Sequence, residues 1–185
     1  YYSNIGAEFL QQAQPLEALR YFRKAASIDE NFAPVWSNLG ALYSRAEHFD
    51  YAEAAYLQAL RLDPGELVAM SNLGQLYQFQ GKTELANRYY TQSNQHRMQN
   101  PYYRYHLARE AFLGRNYEAA IEHLKFSLRK KESDDTFYFL MGLSYLGKGD
   151  EVVAQRWLKR AEEIAADDEL KRSYHNKIER LFETG

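Results

Sequence analysis

One four-residue phrase returns along this chain at a fixed stride, and that stride limits the available folds more than any other feature. Ser3-Asn4-Ile5-Gly6, Ser37-Asn38-Leu39-Gly40 and Ser71-Asn72-Leu73-Gly74 begin 34 residues apart. The same step reaches Tyr105-His106-Leu107-Ala108 and Phe139-Leu140-Met141-Gly142, so the frame holds through five units without insertion. A repeat of this length is one supersecondary unit that cannot bury its apolar face alone, so stacked neighbours must share a core.

The columns running through the repeat say what that unit is. Gly6, Gly40, Gly74, Ala108 and Gly142 put a small residue where two backbones must come close, and Phe9, Tyr43, Tyr77, Ala111 and Tyr145 follow three residues later. Ala18, Ala52, Ala86, Ala120 and Ala154 form an unbroken alanine column, with Phe22, Tyr56, Tyr90, Leu124 and Leu158 four residues beyond. Small and large side chains at spacings of three and four are what ridge-and-groove helix packing needs. Each unit therefore reads as two antiparallel helices. First helices are predicted near 1–13, 33–46, 67–80, 101–113 and 135–147, and partners near 15–28, 49–62, 83–97, 117–130 and 151–165. The punctuation agrees: Asp63-Pro64-Gly65 breaks the chain between units, and Asn100-Pro101 reads as a cap followed by proline at the first helical position. A last helix near 168–182 carries an apolar stripe of Leu170, Tyr174, Ile178, Leu181 and Phe182, with Lys171, Arg172, Asn176, Lys177, Glu179 and Arg180 expected to face away. Such a helix suits a terminal cap.

Trp36, Leu39, Gly40, Tyr43, Ala52, Tyr56, Ala59 and Pro64 together resemble the tetratricopeptide repeat of bacterial-type repeat proteins. The resemblance implies an all-α fold, a right-handed α-solenoid of five helix pairs plus a C-terminal capping helix. It also implies a single domain over 1–185, with repeats near 1–32, 33–66, 67–100, 101–134 and 135–166 and the cap at 168–182. The fourth unit departs from the pattern at Arg104, Ala108 and Ala111, where an aromatic, a glycine and an aromatic are usual; either Tyr103 or Phe137 is placed to fill the lost volume.

Several function classes have little support. There are no cysteines, which removes disulfides, thiolate metal sites and a cysteine nucleophile, and leaves cytoplasm and periplasm equally open. His48, His96, His106, His123 and His175 form no i, i+4 pair, so no metal site is expected. Gly81-Lys82-Thr83 ends like a phosphate-binding loop, but Leu76 stands where the first glycine is required. No catalytic residue and no cofactor is expected. A net charge of −2 argues against a nucleic-acid partner, and no apolar run is long enough for a membrane span. The opening Tyr1-Tyr2-Ser3 lacks an initiator methionine and reads as the start of a piece of a longer chain.

In the family the resemblance points to, first helices line a concave groove that holds a protein or peptide partner. Here that face carries Asn4, Ser37, Asn38, Arg45, Ser71, Asn72 and Gln75 in the first three units. Asn4, Asn38 and Asn72 look like the asparagine ladder of O-linked N-acetylglucosamine transferases, and side-chain amides both donate to and accept from an extended backbone. Asparagines here also serve to brace neighbouring repeats, and both readings stand. The fourth unit turns aromatic and basic with Tyr102, Tyr105, His106 and Arg109, and the fifth continues with Phe139. Tyrosine and arginine are enriched at binding hot spots. The two-carboxylate clamp of chaperone-tail binders is not reproduced: of Ser3, Ala7, Asn38, Val68 and Asn72, only Asn38 fits. The leading expectation is an interaction scaffold. Its rivals are an accessory substrate-positioning domain of a larger enzyme, and self-association through the uncapped first unit.

Overall fold

Eleven helices and no strand occupy residues 1–183, the part of the chain that the computed structural model describes. They fall into two compact units, Tyr1–Arg97 and a second beginning at Met98. The first contains α1 (Tyr2–Gln11), α2 (Pro15–Ile28), α3 (Ala33–Arg45), α4 (Phe49–Leu62), α5 (Leu67–Phe79) and α6 (Thr83–Met98), whose last residue opens the second unit. The second holds α7 (Pro101–Leu113), α8 (Tyr117–Lys130), α9 (Asp135–Gly147), α10 (Glu151–Ile164) and α11 (Asp168–Phe182). These bounds follow the spacing-based expectation closely.

Every hairpin closes in the same way. Ala13, Glu47, Gly81, Arg115 and Gly149, again 34 residues apart, all take positive φ between 57° and 85°. The next amide in each case reaches back five residues: Gln14 to Phe9 O, His48 to Tyr43 O, Lys82 to Tyr77 O, Asn116 to Ala111 O and Asp150 to Tyr145 O, at 2.8–3.0 Å. This is the left-handed stop that satisfies a helix's last carbonyls. Glycine fills it twice. Alanine, glutamate and arginine tolerate it at a cost of about 1–2 kcal/mol each. Side-chain caps then start the next helices. Asn100 accepts from the amides of Tyr102 and Tyr103, as the sequence suggested, and Asn116, Asp150 and Asp167 do the same for α8, α10 and α11.

Within a hairpin, a missing Cβ makes room for a ring. A Cβ added at Gly6, Gly40 or Gly74 would stand 2.5–2.7 Å from the rings of Phe22, Tyr56 and Tyr90; at Gly142 it would meet Leu158 at 2.5 Å. Each member of the alanine column is fully buried beside these contacts. Phe22 and Tyr56 are sealed as well, each contributing about 1.5–3 kcal/mol of apolar burial.

The fourth hairpin solves its departures differently. Ala108 and Leu124 are both fully buried, and Phe137 of α9 fills the same cluster, its ring centroid 5.2 Å from that of Tyr105 and 5.6 Å from that of Tyr102. Phe137 therefore supplies the missing volume. Arg104 turns outward, lying 4.6 Å above the Phe126 ring and donating to Met98 O and to His123 Nδ1.

The last helix packs its stripe through Tyr174, which is buried, stacks on Phe139 at 4.8 Å and donates to Asp135 Oδ2 at 2.5 Å. Two residues depart from expectation. Leu181 stays 37% exposed. Lys177 does not face away: its ammonium lies 5.6 Å from the Phe139 ring and 5.4 Å from the Tyr174 ring. A long aliphatic stem can cover apolar surface while its charge stays wet, so a helical wheel misplaces such a residue.

Two substitutions test this packing in chemical denaturation. Gly40→Ala is expected to destabilise the fold by about 2 kcal/mol, because overpacking costs up to about 3 kcal/mol and better helix propensity returns about 1 kcal/mol. Glu47→Gly is expected to stabilise by up to about 1 kcal/mol by relieving the left-handed turn. A neutral Gly40→Ala would show that the Tyr56 ring is not held against the helix.

Candidate functional site

Once the first helices have spent one face on their partners, the opposite face is left to form clefts, one in each unit. In the first unit a cleft of about 520 Å³ opens where α3 meets α5. Ser44, Arg45, Glu47, Asn72 and Gln75 give it polar walls, and the Phe49 and Phe79 rings, 5.1 Å apart, form an apolar end. Of the residues singled out from sequence, Arg45, Asn72 and Gln75 come together here.

Other members of the predicted set are occupied with bracing. Ser37 is only 1% exposed, and its hydroxyl donates to the Glu66 carboxylate, which also caps the amides of Val68 and Ala69 at the start of α5. That corrects the expectation of an accessible Ser37: a small hydroxyl can be buried between neighbouring hairpins once an acceptor meets it. Asn38 Nδ2 donates to Ser3 Oγ at 2.9 Å, tying α3 to α1. Ser71 shares a hydrogen bond with Ser93 and accepts from Arg97 Nη2 at 3.1 Å. Arg45 Nη1 donates to Leu10 O at 2.5 Å, placing a cation at the carbonyl end of α1. Asn4 is exposed on α1 and does not line the cleft. The three asparagines thus do different things: Asn38 braces, Asn72 faces the cleft, and Asn4 meets solvent.

In the second unit a smaller cleft of about 290 Å³ is built by three helices. Tyr105, Arg109, Phe112 and Leu113 come from α7, Thr136, Phe139, Leu140 and Leu143 from α9, and Tyr174 and Lys177 from α11. Tyr105, Arg109 and Phe139 of the predicted set converge here. Tyr102 and His106 lie outside it. Tyr102 accepts from Lys131 Nζ and packs on Phe137, while His106 Nε2 sits 3.3 Å from Glu110. The sequence reading missed Tyr174 and Lys177 as lining residues, because it assigned α11 only a covering role. The signal for them was the spacing of three between an aromatic and a lysine on that helix.

Charge separates the two clefts. Arg45 and Glu47 both line the first, whereas Arg109 and Lys177 line the second and no carboxylate does. Among the described residues neither Arg109 nor Lys177 has an ion-pair partner. Within the same residues no group of three histidine, aspartate or glutamate side chains converges as a metal site, and no helix is long and apolar enough to cross a membrane.

Burial pushes the Tyr56 phenol, at the edge of the first cleft, up to about 12, with Asn72 beside it pulling the other way. Burial also raises Tyr77 and Tyr174, helped by hydrogen bonds to Glu53 and Asp135. A phenol in the unfolded chain ionises near pH 10. Below that pH both states are neutral and these groups leave stability unchanged with pH. Between pH 10 and 12 only the unfolded chain ionises at Tyr56. Stability is therefore expected to fall by about 1.4 kcal/mol per pH unit from this residue. Urea denaturation of Tyr56→Phe across that window should show a shallower fall than the parent chain; an equal slope would contradict burial of the phenol.

Comparison with known proteins places this architecture. Residues 33–66 match the tetratricopeptide repeat family. The chain is 28% identical over 134 residues to anaphase-promoting complex subunit cut9 of Schizosaccharomyces pombe, covering 71% of this chain and 20% of that protein. It is 36% identical over 80 residues to human protein O-mannosyl-transferase TMTC2, covering 43% of this chain and 10% of that one. The chain thus spans a fifth or less of these curated relatives. Among solved structures, that of Pseudomonas aeruginosa pilF superposes with a TM-score of 0.51 at 18% identity, covering 100% of this chain and 91% of that chain. This last likeness is one of fold.

Proposed function

We propose, from the tetratricopeptide repeat match over residues 33–66, that the chain is a non-catalytic interaction module holding a partner polypeptide in the clefts on its first helices. One observation carries the reading. Tyr105, Arg109 and Phe139, from two different helices, converge on one opening although none of them forms the sealed core of its hairpin. Tyrosine and arginine beside an apolar floor are the side chains that supply most binding energy at interfaces. The polar cleft on α3 and α5 would add hydrogen bonds from Asn72 and Gln75 to a bound backbone. The similarity to a protein named as a subunit of a multiprotein complex supports an assembly role.

A second reading has its own support. The similarity to a protein O-mannosyl-transferase over 80 residues favours the chain as an accessory part of a larger enzyme, its clefts positioning a polypeptide for chemistry performed elsewhere. Both readings use the same clefts, and the sequence flanking this chain in its full reading frame separates them.

The placement is tested by selecting random decapeptides, displayed on their encoding messenger RNA, against the full chain. Selected peptides are expected to lose at least about tenfold in affinity when Tyr105 and Arg109 are both replaced by alanine, since each such anchor contributes about 1 kcal/mol or more. Helical circular dichroism should be retained, with a lowered thermal midpoint because the Tyr105 ring packs on Phe137. The single variant Arg109→Ala, at an exposed position, should keep the parent's midpoint and still weaken binding. Peptides that bind the double variant equally well would place the site elsewhere.

A further inference from the structure

We infer that the cleft on α7, α9 and α11 is built for a partner segment that carries a side-chain carboxylate next to a bulky apolar residue. The inference rests on the interaction role proposed above and assigns α11 a part in recognition. The floor comes from Phe139, Leu140 and Leu143, and its volume of about 290 Å³ lies at the small end for ligand pockets, enough for one or two side chains and too little for a folded surface. Arg109 enters from α7 and Lys177 from α11, with no carboxylate lining the space between them. Lys177 is held in place by the Phe139 and Tyr174 rings, so little side-chain freedom is lost when its ammonium meets an anion. An unpaired arginine and lysine beside an apolar floor leave a carboxylate as the complementary charge. The first cleft offers no such field, because Glu47 lines it together with Arg45.

The surroundings narrow the anion further. Asp135 holds the Tyr174 hydroxyl at the base of α9, and Glu110 and Glu179 lie on the same helices as the two cations, each beside a histidine. A polyanion such as nucleic acid would extend past the cleft toward those carboxylates, whereas one side-chain carboxylate meets only the Arg109 and Lys177 that line it. Phosphate recognition usually draws on a cluster of arginines, and this cleft has one.

The test uses the selected decapeptides and the full chain. Peptides are expected to be enriched in Asp or Glu adjacent to Phe, Leu, Trp or Met. For the best of them, changing the acidic residue to its amide should weaken binding about tenfold by fluorescence anisotropy. Lys177→Met keeps the apolar stem over the rings and should remove most of the difference between the acidic peptide and its amide counterpart. Raising the salt should weaken the acidic peptide more than its amide counterpart. Amide and acid peptides that bind equally at a cleft sensitive to Tyr105 and Arg109 would overturn this inference and leave the interaction role standing. A phosphoserine version binding tenfold tighter than the carboxylate would overturn it as well. Selected peptides insensitive to Tyr105, Arg109 and Lys177 alike would overturn both.

Discussion

The contact on which everything else depends is a bulky side chain of the second helix laid where the first helix carries glycine or, in the fourth hairpin, Ala108. Gly6 under Phe22, Gly40 under Tyr56 and Gly74 under Tyr90 let paired helices approach until the ring fills the gap, and Gly142 does the same for Leu158. This close approach fixes the rotation of each first helix about its axis. Once that rotation is set, the residues facing the partner helix are committed to packing, and those opposite have no partner within the hairpin. The clefts follow from that commitment. The alanine column, sealed at every position, shows that the second helices also bury this face completely.

What the clefts can do depends on how neighbouring hairpins use the leftover face. In the first unit much of it goes to bracing, with Asn38 on Ser3, Ser37 on Glu66 and Arg45 on the end of α1. The cleft that remains is roomy, polar and balanced in charge. The second unit braces with rings instead: Phe137 between Tyr102 and Tyr105, and Tyr174 on Phe139. Rings brace through area and leave the cations at the rim without an ion-pair partner among the described residues, even where Lys177 lies over the Phe139 and Tyr174 rings. Arg109 and Lys177 therefore remain available, and the second cleft combines apolar depth with uncompensated positive charge.

Much of this was readable from the chain itself, for a physical reason. Backbone approach and ring volume tolerate few substitutions, so Gly40, Ala52 and Tyr56 reappear in register, and helix bounds and caps such as Asn100 follow. Features decided by a single atom's partner were not readable. Ser37 looks like a free polar residue until Glu66 is seen to accept from it. The left-handed turn recurs in every hairpin, yet Ala13, Glu47 and Arg115 hide it because only backbone conformation repeats there. Lys177 belongs by sequence to the polar side of α11, and its stem's preference for aromatic surface turns it toward Phe139. The choice of Phe137 over Tyr103 as filler depends on a neighbouring hairpin, which local spacing does not encode.

Because the chain contains no cysteine, single cysteines can report directly on which faces are committed and which are free. Reaction of a maleimide with Gln75→Cys, Arg109→Cys and Ser37→Cys in the folded chain measures this. Cysteines at 75 and 109 should label rapidly, and one at 37 should label only as fast as the fold opens. Rapid labelling at 37, with protection at 75 and 109, would contradict the assignment of faces from which both clefts are built.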